Sequence, residues 1–220
     1  VGQNLIAGNT IVFKHSEETP LFGKLVEEIV ESAALPEGVF SEIYGDGKVG
    51  ETLVRQNIYL ISFTGSTATG KKLCKIAAGK MIRIVMELGG SAPGIVFEDA
   101  SNGVIESIYG FRFVNCGQAC DALKRLIVHE SRYEEVVVGL RAKLASLKVG
   151  NPLEETTDIG PLVAERQVKL LEAQVEDAFK KGAKVLMGGK RAHLSGAFYE
   201  PSLLTGVTSD MRVWKEEVFG

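Results

Sequence analysis

The stretch Tyr59-Leu60-Ile61-Ser62-Phe63-Thr64-Gly65-Ser66-Thr67-Ala68-Thr69-Gly70 decides the fold class. Its first five residues form a short, mostly apolar run of strand length, and the Gly-Ser-Thr that follows reads as a turn into a helix. That helix continues to about Ala78, and Ile82 to Met86 is a further strand leading into Glu87. Strand, turn, helix and strand in close order is the unit of a parallel sheet, because parallel neighbours need a crossover between them.

The same unit recurs toward the N-terminus. Thr10 to Lys14 reads as a buried strand, preceded by the tail of a helix. Thr19 as N-cap and Pro20 at the first helical position open a helix with Leu21, Phe22, Leu25, Val26, Ile29, Val30 and Ala33 on one face. Leu35-Pro36-Glu37-Gly38 ends it, a short strand spans Val39 to Tyr44, and another helix runs to about Gln56. This density of β-α units is that of a nucleotide-binding half-domain. Beyond Gly90 the periods change. Pro93 to Phe97 and Arg125 to His129 read as strands, and Asn102 to Phe113, Tyr133 to Leu147 and Ala164 to Lys181 read as helices.

Composition sets the bounds. The 220 residues are 45% hydrophobic and 24% charged, which is the balance of an ordinary globular protein. A net charge of −3 gives no electrostatic case for nucleic acid or an anionic membrane. No apolar run approaches the ~20 residues that span a bilayer, and no signal peptide opens the chain, so a soluble protein is expected. Three cysteines without a Cys-x-x-Cys pair predict no disulfide framework and no structural zinc, with a reducing cytoplasm as the default. His15, His129 and His193 lack metal-ligand spacing and read as surface or packing residues, so no metal site is expected. The abrupt ends, inside a helix-to-strand turn and on Phe219-Gly220, suggest a piece of a longer protein.

One glycine run matches a phosphate-binding pattern. Gly45-x-Gly47-x-x-Gly50 matches the dinucleotide fingerprint between a strand and a helix, which makes Gly47 a cofactor candidate. A glycine-rich connector explains it nearly as well, and the acidic residue expected about 20 positions on is missing.

The chemistry centres on Cys120, in Phe113-Val114-Asn115-Cys116-Gly117-Gln118-Ala119-Cys120, and on Glu87, in Glu87-Leu88-Gly89-Gly90. A thiol and a carboxylate, each set among glycines, form a nucleophile and a base for covalent chemistry on a carbonyl. A free thiol with a pKa near ~8.5 is mostly protonated at neutral pH, so it needs a cation, amide dipoles or a base beside it. Cys116 reads as a small buried hydrophobe. A helix through 116–120 would instead put both sulfurs on one face and permit reversible oxidation. Asn115 reads as structural.

Phe63 to Gly70, Glu87 to Gly90, the Cys120 run and Glu216-Glu217-Val218-Phe219-Gly220, in this order, resemble the aldehyde dehydrogenase superfamily from about Ala7 to Gly220. The resemblance implies a Rossmann-like nucleotide-binding part (1–87) joined to an α/β catalytic domain (88–220), both with parallel sheets and incomplete at both ends. It implies that Cys120 attacks an aldehyde to give a thiohemiacetal, which becomes a thioester, and that Glu87 activates the hydrolytic water. Gly65 and Ser66 would lie near the cofactor pyrophosphate. Lys14 and Glu17, in Lys14-His15-Ser16-Glu17, match a Lys-Pro-Ser-Glu segment that holds the adenosine ribose, with His15 where proline is usual. Glu17 favours NAD, and Lys14 keeps NADP open. Glu217 and Phe219 match residues at the nicotinamide ribose and the nicotinamide.

Ser91 stands where most relatives have Lys. Cys120-Asp121-Ala122-Leu123-Lys124 is similar to the non-phosphorylating glyceraldehyde-3-phosphate dehydrogenases, which makes glyceraldehyde-3-phosphate the leading substrate. Ala119, where that group often has Arg, weakens this reading, and succinate semialdehyde, lactaldehyde or a plain aliphatic aldehyde stay open. The resemblance further implies a homo-oligomer, dimer or tetramer, in the full-length protein. The alternative is a catalytically silent fragment that binds cofactor or a partner without turnover, since the segment carrying the family's oxyanion asparagine is absent. Glu87 argues against an acylating enzyme that releases to coenzyme A, and no histidine motif supports a Cys-His hydrolase.

Overall fold

In the computed structural model, which describes residues 1–220, the chain forms two units, Val1–Leu88 and Gly89–Gly220. The first runs α1 (Gly2–Ile6), β1 (Ile11–Phe13), α2 (Pro20–Ser32), β2 (Phe40–Glu42), α3 (Gly47–Val54), β3 (Leu60–Gly65), α4 (Thr67–Lys80) and β4 (Arg83–Leu88). β1 pairs parallel with β2, and β3 parallel with β4, so each pair is closed by a helical crossover. Its core gathers Val54, Ile61, Leu73 and Ala77, with Ile58, Phe63, Ile76, Ile82 and Met86 packed around them. α4 faces this core through Gly70, Leu73 and Ala77, one and two turns apart as the helical period requires.

Two sequence expectations change here. β3 continues through Thr64 and Gly65, so the turn is shorter than the composition suggests and helix α4 starts almost at the strand end. Helix α2 starts at Pro20 as expected, but Leu21, Phe22, Leu25 and Ile29 are 80%, 58%, 52% and 59% exposed. The strands β1 and β2 have three residues each, too narrow a surface to cover that face. Contact is made instead through Gly23, the one buried residue of α2, where any Cβ would overlap His15 and Glu42.

The second unit runs β5 (Ala92–Val96), α5 (Val104–Phe113), a 3-10 turn (Val114–Gly117), β6 (Leu123–Val128), α6 (Tyr133–Ala145), α7 (Glu165–Lys180), β7 (Lys184–Met187), β8 (Leu203–Thr205) and α8 (Arg212–Lys215). β5 and β6 are parallel, with α5 and α6 packed on them through Val96, Ile108, Val136 and Leu140. The α/β class with parallel pairs is therefore as read from the sequence. An antiparallel pair, β7 with β8, is added to it, and nothing in those short runs announced the pairing.

Candidate active site

In the first unit, Lys14 directly follows β1. Its ammonium donates to the His15 carbonyl at 2.7 Å and lies 3.5 Å from the Glu17 carboxylate. Helix α3 passes beside it, since a Cβ on Gly50 would lie 3.4 Å from the Lys14 stem. His15 points inward and pairs with Glu42 at 2.6 Å. The segment that carries Lys14 and Glu17 is thus anchored by a buried side chain rather than by proline.

Gly47 is the first residue of α3, and the Asp46 carboxylate caps that helix by accepting from the amides of Lys48 (2.9 Å) and Val49 (3.3 Å). A carboxylate already seated there opposes a phosphate at the same helix start. This geometry weighs against Gly47 as a phosphate contact. Gly65 ends β3, and Ser66 caps α4 with a neutral hydroxyl that accepts from the Thr69 amide at 3.2 Å. Of the two glycine turns, this one leaves the helix dipole uncompensated by side-chain charge. A cation beside a carboxylate after one strand, and a neutral-capped helix start after another, form a donor set that suits ribose hydroxyls and a pyrophosphate. Glu87 sits in β4, its backbone in register with Thr64, and its side chain is exposed.

In the second unit the chain around Cys120 is an unusual loop. Asn115, Cys116 and Gly117 are left-handed in succession, with φ of 50°, 56° and 77°. Non-glycine residues held there cost about 1–3 kcal/mol each and persist where surrounding contacts over-determine them. The contacts are present. Asn115 and Gln118 exchange side-chain to backbone-carbonyl hydrogen bonds at 3.2 Å, and the Gln118 side-chain Oε1 accepts from the Val163 amide at 2.8 Å. The Cys116 thiol reaches the Gly160 carbonyl at 3.6 Å, and burial pushes its pKa up. The kink excludes a helix through 116–120, so the two sulfurs do not share a helical face, and Cys116 is a packing residue against Leu162, Val168 and Leu171. Cys120 is exposed, and all three cysteines are free.

The glycines after Glu87 meet this loop. A Cβ on Gly90 would lie 3.7 Å from the Cys120 carbonyl, and the Gly90 amide donates to Glu217 at 3.3 Å. A Cβ on Gly89 would fall within the Glu217 carboxylate itself. Glycine at 89 is therefore a condition for Glu217 to sit where it does. The segment 216–220 is held from α7 and α5. Gln174, 1% exposed, donates to Glu216 (3.1 Å) and to the Glu217 carbonyl (3.0 Å), and Gln167 donates to the Phe219 carbonyl at 2.5 Å. Arg112 donates to the carbonyls of Val218 (3.3 Å) and Gly220 (2.5 Å), and burial lowers its pKa to about 10.

Sequence reasoning singled out Cys120, Glu217 and Phe219 but missed what holds them. Gln167 and Gln174 lie seven residues apart on the face of α7 that also carries Val168, Leu171 and Ala178. Polar residues in a buried stripe need buried partners, and that pattern was the available signal. Arg112 had none.

The aldehyde dehydrogenase family profile matches residues 1–220. The mitochondrial succinate-semialdehyde dehydrogenase of Oryza sativa subsp. japonica is 41% identical over 223 residues, covering 100% of this chain and 42% of that protein. A crystal structure of succinate-semialdehyde dehydrogenase from Burkholderia pseudomallei superposes with a TM-score of 0.92 at 41% identity, over 96% of this chain and 44% of that one. An NAD+ complex of an aldehyde dehydrogenase from Bacillus cereus does so with a TM-score of 0.93 at 37% identity, over 96% and 44%. The chain thus spans less than half the length of these relatives, and with its whole length matched it belongs to the aldehyde dehydrogenase family.

Proposed function

We propose that the protein oxidises an aldehyde to a carboxylic acid with NAD(P)+, with Cys120 as nucleophile and Glu87 as base. The observation that carries this reading is the Cys120 loop. Its thiol is exposed, while three consecutive left-handed residues just before it are pinned by side-chain bonds. Strain kept up by that many contacts supports a loop built to present the thiol.

Lys14 and Glu17 hold the adenosine ribose, the Gly65 and Ser66 turn faces the pyrophosphate, and Glu217 and Phe219 take the nicotinamide ribose and ring. When bound, the dinucleotide accepts the hydride that turns the thiohemiacetal into a thioester. The chain's own residues do the rest. The Cys120 thiolate adds to the carbonyl carbon, and the Glu87 carboxylate takes a proton from the water that attacks the thioester. The acid leaves and the thiol is restored. Lys14 beside Glu17 accommodates either NAD or NADP.

For substrate, the names of the rice and Burkholderia relatives favour a small aldehyde with a carboxylate, succinate semialdehyde first. Glyceraldehyde-3-phosphate rests only on the residues after Cys120, against Ala119. The full-length protein is a homo-oligomer of a reducing compartment such as the cytoplasm, consistent with three free thiols.

The test is single-turnover formation of reduced cofactor by the chain and its Glu87→Gln variant. Succinate semialdehyde, glyceraldehyde-3-phosphate and a short aliphatic aldehyde are each supplied with NAD and with NADP. A one-equivalent burst that stalls in the variant and continues in the parent supports the reading, and Cys120→Ser abolishes it. Turnover by Cys120→Ser refutes it. Cofactor binding with no burst would favour the catalytically silent alternative.

A further inference from the structure

We propose that Lys124 is a positioning residue for Cys120: its ammonium ties the carbonyls behind the nucleophile to the ring of Phe219 and sets a positive charge next to the residue that precedes it. This rests on Cys120 being the nucleophile.

The backbone provides the means. In the parallel ladder of β5 and β6, Ala92 is in register with Leu123 and Pro93 with Arg125, so Lys124 is the extra residue of a β-bulge. Pro93 has no amide hydrogen to donate, which makes this the place where a ladder breaks. Bulges re-aim side chains, and both cations of the Lys124-Arg125 pair turn back onto backbone. Arg125 donates twice to the Ser91 carbonyl, at 3.1 and 2.7 Å. Lys124 donates to the Ala119 carbonyl at 2.7 Å and reaches the Gly117 carbonyl at 3.4 Å. Its nitrogen also stands 5.4 Å from the centre of the Phe219 ring, within cation–π range. One side chain thus braces the residue before Cys120, the glycine that closes the left-handed run, and the candidate nicotinamide neighbour.

The charges around Lys124 come from three elements. Burial, and then Arg112 of α5, depress its pKa, while Glu217 of the C-terminal segment, Cys120 and Asp121 of the loop raise it, and the balance sits at about 8. The brace is a protonated amine in the neutral range and loses its charge in the mildly alkaline range. Glu217 and Asp121 share the field of the cation, so a thiolate at Cys120 gains from it only while the amine is charged.

The experiment follows alkylation of each thiol by iodoacetamide from pH 6 to 10, with peptide mapping to separate Cys120 from Cys74 and Cys116. The parent, Lys124→Met and Lys124→Arg are compared, and folding is checked by circular dichroism. In the parent, the Cys120 rate relative to Cys74 falls as pH passes about 8. Below that pH, Lys124→Met slows Cys120 several-fold relative to Cys74. Lys124→Arg keeps the parent rate and carries it to higher pH, because guanidinium stays charged. A folded Met variant that alkylates like the parent overturns the proposal, as does an Arg variant as slow as the Met one. If that happens while the aldehyde burst of the parent persists, only the Lys124 role falls. If Cys120 in the parent is no faster than Cys74, the nucleophile assignment falls with it.

Discussion

Removing His15 should cost the first unit more than removing its partner Glu42, although both make the same hydrogen bond. The side chains are 3% and 0% exposed, and Nδ1 to Oε1 is 2.6 Å. The second carboxylate oxygen is buried with no partner, and the Tyr44 ring closes one side with its centre 4.6 Å from the imidazole. An ionised carboxylate only accepts, so the imidazole must donate. His15→Ala leaves a buried carboxylate with neither oxygen paired, which costs about 3–5 kcal/mol. Glu42→Ala leaves an imidazole that loses one hydrogen bond, about 1–3 kcal/mol. Adding Glu42→Leu to His15→Ala should therefore recover part of the loss, because the stranded charge is gone. Native-state hydrogen exchange reads this locally at Ile11 and Ile43, whose amides bond Val39 and Phe13 across β1 and β2 at 2.9 Å. The expected acceleration for His15→Ala is about a hundredfold or more. A deficit under about 1 kcal/mol, or a double variant worse than His15→Ala, would show that the pair is not the buried charge contact described.

Gly117→Ala combines a φ of 77° with a Cβ only 3.0 Å from the Gly220 carbonyl carbon, so a loss of about 1–3 kcal/mol is expected in urea unfolding, together with slower Cys120 alkylation. Tyr199→Phe removes a buried hydroxyl that has no partner, and should be neutral or stabilising by up to about 1 kcal/mol. Burial raises the Tyr199 pKa to about 12, so its ionisation favours the unfolded chain: this costs nothing below about 10 and lowers stability as pH rises to 12, and the Phe variant should lose less between pH 8 and pH 11 than the parent in urea unfolding. Arg112→Met strands the carbonyls of Val218 and Gly220 and should cost about 1.5–3 kcal/mol, followed by the fluorescence of Trp214, the single tryptophan.

The sequence alone determined the α/β class, since strand-length apolar runs alternate with 3.6-period segments and both are local signals. It also marked out Cys120, Glu87 and the glycines around them, because chemistry of that kind needs particular residue types at particular spacings. Thr19-Pro20 placed a helix start to the residue. What it could not supply was any partnership between distant segments. The inward turn of His15 depends on Glu42 and Gly23, which lie on other elements, and the exposure of the α2 face depends on how short β1 and β2 are. The fit of Gly89 to Glu217, the bulge that aims Lys124 at the Ala119 carbonyl, and the grip of Gln167, Gln174 and Arg112 on the last residues all join positions far apart in the chain. Local propensity carries no record of such pairs. They exist only once packing fixes which backbone groups are left to be satisfied, and which side chains are near enough to satisfy them.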